Sequence, residues 1–195
     1  MIQENNSRLI HIRVLTYFYI GALILSGITA FPLHWETRLL CQWFGAGTFL
    51  GERFPGLVHW LAYVHDGVAQ NAVHYPFMTY GTDWLAFAHI IIAVFFVGVA
   101  IDPVRNIWIV KTGIIACVLV PVLAFVCGPV RGIPVFWRLI DSCFGVVGVI
   151  PLFLICRWTR TIERELQSDA MGGGQGTSCL TQRPPEEKGG AATDS

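Results

Sequence analysis

Three ionisable side chains, His89, Arg138 and Asp141, sit inside stretches that are otherwise apolar. A charge in lipid-like surroundings is costly, and it persists where it pairs, binds or relays something. Arg138 and Asp141 are three residues apart, so on a helix they share a face and can form an ion pair. His89 lies five residues into its own apolar run, about 7.5 Å from the start of that run at the helical rise. Asp141 lies at a similar depth in another run. The expected constellation is a polar layer of His89, Arg138 and Asp141, capped from outside by Asp83 or by His59 and Asp66. Such a layer suits a small ligand or a proton. A plainer arrangement uses the same residues: Arg138 reaching the interface, Asp141 paired with it, and His89 donating to a backbone carbonyl.

Other chemistries find little support. The six cysteines, Cys41, Cys117, Cys127, Cys143, Cys156 and Cys179, contain no C-x-x-C pair. Four of them fall in apolar runs, where cysteine acts as a small hydrophobe. Cys156, at the end of such a run, is a candidate for palmitoylation. His59 and His65 are six apart and do not share a helix face as the histidines of H-x-x-x-H do, so no metal site is expected. No nucleophile motif or phosphate loop is present, and the reading leans away from an enzyme. The formal net charge is zero, so no global basic field invites nucleic acid.

The elements that must position these residues follow from composition. Of 195 residues, 54% are hydrophobic and only 13% charged, against roughly 25% charged in a soluble domain. Four apolar runs reach or approach membrane-spanning length: residues 14–33, 84–101, 107–128 and 135–156. The first is too long for the core of a cleaved signal peptide and lacks a small-x-small site. Asp102-Pro103 reads as a helix stop followed by an N-cap and first-turn proline. Pro121 predicts a kink. The expected fold is an all-α integral membrane four-helix bundle. Its basic residues are biased: Arg8, Arg13, Arg105, Lys111, Arg157, Arg160 and Arg164 fall on one side. Arg38, Arg53, Arg131 and Arg138 are spread over a longer length on the other. The positive-inside rule makes the first side cytoplasmic, with residues 1–13 and a disordered tail, 165–195, both inside a plasma (inner) membrane.

Residues 34–83 would then form an outer segment. Within it, residues 57–70 read as an amphipathic interfacial helix. Leu57, Leu61, Val64 and Val68 make its apolar stripe, opposite His59, Tyr63, Asp66 and Gln70. Residues 36–50 are a candidate second interfacial helix. The bilayer is the expected partner, with a second membrane subunit as a further one.

Two resemblances add expectations. Arg8-Leu-Ile-His11, leading into a span that contains Ser26-Gly27, is similar to the opening of the prokaryotic cytochrome b561-type membrane proteins. That resemblance covers the first span and the helix count. It implies b-type haem held between histidines at matching depth on different helices. No second histidine lies near the level of His11, so the implied ligands are His89 with His34 or His59, His65 and His74 being further outer candidates. The string Tyr75-Pro-Phe-Met-Thr-Tyr-Gly-Thr-Asp-Trp-Leu-Ala-Phe87 resembles one in small uncharacterised bacterial multi-pass membrane proteins and implies no activity. Here Asp83 would cap the second span, with Trp84 as an interfacial belt residue. The expected function is therefore a binding or accessory membrane component with no resident cofactor. A haem-carrying redox subunit and a small-solute or proton transporter are the alternatives.

Overall fold

The computed structural model describes residues 2–176. Over these residues the chain forms seven helices and no strand: α1 (Ile2–Ala30), α2 (Leu33–Phe44), α3 (Phe49–Arg53), α4 (Pro55–His74), α5 (Pro76–Ile101), α6 (Ile107–Val130) and α7 (Val135–Gly176). Four are long and apolar enough to cross a membrane, over Asn6–Ala30, Pro76–Ile101, Ile107–Val130 and Val135–Met171. The four apolar runs thus become the four long helices of an all-α bundle. The short helices α2 to α4 form a cap where α1 stops and α5 begins. The opposite end, the base, holds the start of α1 and the turn at 102–106.

Two helix pairs build the bundle, α1 on α5 and α6 on α7. Small residues set both seams, as expected where close backbone approach replaces the hydrophobic effect. Ala86, Ala93 and Ala100, seven apart, are buried on α5. A Cβ on Gly27 of α1 would stand 2.8 Å from the Ala86 carbonyl oxygen. Arg13 Nε donates to the Ala100 carbonyl at 3.2 Å and ties the base of the pair. On the second seam, Gly145 of α7 lies directly against the Cys117 carbonyl oxygen, and a Cβ on Gly148 would be 3.1 Å from Cys117 Sγ. The two pairs join near the base, where Ile12, Phe96, Val110, Leu152 and Ile155 are buried in one cluster.

Several element ends depart from expectation. The second span starts at Pro76, not at 84, with proline in its first turn. Asp83 is therefore inside α5 and caps nothing. Asp102 does not cap α6; its Oδ1 accepts the Arg105 N–H at 3.0 Å and closes the turn. Asn106 occupies the cap position, and its Nδ2 donates to the Gly98 carbonyl at 2.9 Å. The tail expected to be disordered from 165 is helical to Gly176, while residues 177–195 lie outside the described residues. A buried stripe at helical spacing, Ile155, Thr159 and Ile162, carries the packed part of α7 past its apolar run. An Arg8–Glu165 ion pair of 2.6 Å joins α1 to this extension. Cys156 is buried in the same stripe, so its thiol is not presented for acylation.

In the cap, the amphipathic helix is longer than the expected 57–70 and runs Pro55–His74. Its stripes are as expected: Leu61 is buried and Leu57, Val64 and Val68 are half-buried, while His59, Tyr63, Asp66 and Gln70 are exposed. The candidate helix at 36–50 is broken in two. α2 ends at Phe44, and the chain turns through Gly47 at φ +85°, a left-handed conformation suited to glycine. Thr48 then starts α3, its Oγ1 accepting the Gly51 N–H at 3.0 Å. Burial of Glu36 on α2 raises its carboxyl above the usual range. The Cys41 thiol is raised by burial and then by the negative charge of Asp66.

Candidate functional site

The turn between α6 and α7 is built by local rules. Gly132, at φ +69°, follows the last turn of α6. The Ile133 N–H reaches back to the Gly128 carbonyl at 2.9 Å and the Gly132 N–H to the Pro129 carbonyl at 3.1 Å. This is the Schellman pattern, in which a left-handed glycine satisfies the orphan carbonyls of a helix end. Pro134 then receives the N–H groups of Trp137 and Arg138, each at 3.1 Å. The turn places Arg131 and Ile133 at the mouth of a groove, with Arg138 and Asp141 one turn apart on the opposing helix.

That groove holds a cavity of about 310 Å³. Arg131, Arg138 and Asp141 supply its charges, and Leu123, Ala124 and Cys127 are among its apolar walls. Gly128 is decisive for Arg138. Its missing side chain leaves room for the arginine stem to lie on the α6 backbone, and a Cβ there would collide with Arg138 Cδ and Cγ. The stem therefore buries its Nε, and among the described residues this buried donor has no hydrogen-bond partner. An unsatisfied buried donor costs about 1–3 kcal/mol and is the kind of group a ligand relieves. Ser142 below it is satisfied, its hydroxyl donating to the Arg138 carbonyl at 2.7 Å.

The expected layer is only partly assembled. Arg138 and Asp141 share one cavity, as their spacing requires, yet no ion pair joins them among the described residues. His89 neither lines this cavity nor bonds to either residue. It lies on the α1 side of α5, its Cβ 3.3 Å from where a Gly27 Cβ would stand. Its Nδ1–H donates to the Leu85 carbonyl at 2.8 Å, the histidine's part in the plainer arrangement, though the Arg138–Asp141 pair of that arrangement is not formed among the described residues. Asp83 lines a separate hollow beside Phe31 and Trp84. His59 and Asp66 are exposed on α4 and do not close over Arg138 and Asp141.

The histidines implied as haem ligands are likewise distributed differently. His34 meets His65 across α2 and α4, with ring centroids 5.3 Å apart. Thr37 Oγ1 stands 3.1 Å from His65 Nδ1 beside them. His89 has no ring contact with His34 or His59 among the described residues. No three His, Cys, Asp or Glu side chains converge as a metal-holding group among those residues. The feature that sequence reasoning missed is the cavity itself. Its signal was Gly128, ten residues before Arg138 and across a glycine-capped turn from it.

No protein-family model, curated protein or solved structure matches this chain.

Proposed function

We propose that this chain is a multi-pass integral membrane protein of a plasma membrane, with its N-terminus and C-terminal tail in the cytoplasm and the cap outside. It acts as a binding or accessory component rather than as an enzyme. Exposure supports insertion: Phe18 is 70%, Leu123 63% and Phe144 74% exposed. A surface this apolar along four span-length helices is matched by lipid, not by water. The basic residues Arg8, Arg13, Arg105, Lys111, Arg157, Arg160 and Arg164 support the orientation.

The observation that carries the binding role is the unpartnered Arg138 Nε in a cavity with apolar walls. A guanidinium so placed suits the anionic group of a small amphiphile whose apolar part lies along Leu123 and Ala124. Native mass spectrometry from mild non-ionic detergent tests this. Wild-type protein is expected to retain an anionic lipid-sized adduct that the Arg138→Gln variant loses. Equal adducts on both, or none on either, would sink the binding role. The same spectrum reads any co-purifying membrane subunit. A fluorescent-protein fusion at the C-terminus that stays dark while an exported phosphatase fusion is active would overturn the orientation.

A further inference from the structure

A second hollow lies on the other helix pair, at the cap end of α1 and α5. It measures about 280 Å³ and is lined by Phe31, Tyr80, Asp83, Trp84 and Phe87. Four of these come from α5 at positions i, i+3, i+4 and i+7, which is one helix face. Phe31 adds a side from the turn that follows α1, and the hollow stays open, its four rings each 46–60% exposed. We propose that these residues form an aromatic cage for a quaternary ammonium group, with Asp83 as its counter-charge.

Ring geometry is the first argument. Trp84 stands perpendicular to both its neighbours, at 83° to Tyr80 with centroids 6.1 Å apart and at 88° to Phe87 with centroids 6.2 Å apart. Such edge-to-face contacts are ordinary for neighbouring rings; here they leave π faces of differing orientation beside Asp83. The face of an aromatic ring attracts a cation, Trp most strongly, and weakly hydrated alkylammonium groups lose least on entering such a box. The second argument is Asp83. It is half-buried among the rings, and among the described residues it makes no ion pair or side-chain hydrogen bond. A carboxylate left unpaired in an aromatic hollow lacks a cation. The third is size. The hollow is about nine times a water molecule's share of the liquid, enough for a trimethylammonium head and its first methylenes. Trp84 is therefore more than a belt residue, and Asp83, displaced from its expected capping role, has a charge to neutralise. The proposal is independent of the α6–α7 cavity, since no residue is shared between them.

Two sources carry this chemistry, a lipid headgroup and a free solute, and one experiment separates them. The full chain in maltoside micelles is titrated with choline and with its neutral carbon isostere, 3,3-dimethylbutan-1-ol, following ligand proton line broadening. Choline is expected to bind at least tenfold more tightly than the alcohol. Trp84→Leu and Asp83→Asn are each expected to weaken choline about tenfold, with Trp84→Phe in between and melting temperatures unchanged. Phe87→Leu serves as a second cage variant should Trp84→Leu fail to fold. Equal affinity for the alcohol, no binding of choline, or folded variants that bind like the wild type would each overturn the cage. Repeating the titration in nanodiscs assigns the source. Loss of the choline signal in phosphatidylcholine but not in phosphatidylglycerol discs supports a lipid headgroup, and retention in both supports a free solute.

Discussion

The α6–α7 seam allows a quantitative test at Gly145. A Cβ at this position would overlap the Cys117 carbonyl oxygen and stand 3.0 Å from Val120 Cβ and 3.1 Å from Pro121 Cδ. None of these is the free end of a flexible side chain, so the helices themselves must yield, by about 1 Å. The Cys117 carbonyl has a particular need here. Pro121, four residues on, has no N–H, so this carbonyl lacks its helical donor. The close approach of Gly145 offers it a Cα–H contact worth about 0.5–1 kcal/mol. Overpacking a fitted seam costs about 1–3 kcal/mol. Alanine returns about 1 kcal/mol of helix propensity over glycine. Gly145→Ala should therefore destabilise the fold by about 0.5–3 kcal/mol. Gly21→Ala is the control, because a Cβ there meets nothing within 4 Å, and it should be neutral or stabilising by up to about 1 kcal/mol. Reversible unfolding in mixed micelles, followed by far-ultraviolet circular dichroism, reads both. Stabilities of the two variants agreeing within about 0.5 kcal/mol would refute the seam as described.

Three further outcomes are expected of the cavity and the cap. Gly128→Ala displaces the Arg138 stem rather than the backbone, so it should abolish the anionic adduct while changing stability by less than about 1 kcal/mol; retention of the adduct counts against the role of Gly128. Glu36 has a raised folded-state pKa, so the native cap binds more protons than the unfolded chain between the ordinary value of 4.5 and the raised one. Stability should fall as pH rises through that window, and Glu36→Gln should remove the fall; parallel pH–stability curves for wild type and variant would contradict it. Cys41, raised by burial and by Asp66, should react slowly with a maleimide, and Asp66→Asn should speed it, as mass spectrometry of timed alkylation would record; an unchanged rate in the variant would contradict it.

The sequence makes helix number and type legible because lipid-length apolar runs are a coarse signal that tertiary contacts do not disturb. Helix ends are less so. Residues 76–83 are too polar to count as lipid-facing, yet Pro76 is well suited to a first turn, so α5 starts two turns before its apolar run. The end of α7 was hidden by its charges: Arg157, Arg160 and Arg164 read as a stop, although Ile155, Thr159 and Ile162 keep a buried stripe going. That Arg138 and Asp141 share a face was legible because i, i+3 spacing fixes it whatever the neighbours; the ion pair expected between them does not form among the described residues. The position of His89 was not legible. Depth along a helix can be counted, but which neighbour a face meets depends on helix pairing. α5 turns its alanine face to α1, and His89 goes with it.

The cavity and its arginine are two results of one step in residue size along the α6–α7 seam. From Gly113 to Pro121 on α6, and from Gly145 to Leu152 on α7, small residues bring the backbones together. One turn nearer the cap, α7 changes to Ser142, Asp141 and Arg138, while α6 continues small with Ala124, Cys127 and Gly128. The larger side chains hold the helices apart, and the small ones do not fill the gap. A void follows of necessity, and its polar lining all comes from α7 and the turn. Lipid alone could fill such a gap without any charge in it. An arginine whose stem is seated on a glycine, with a buried donor left open, is not needed for packing. The volume of the groove thus accounts for the helix geometry, and the binding role proposed above would account for the residue that faces it.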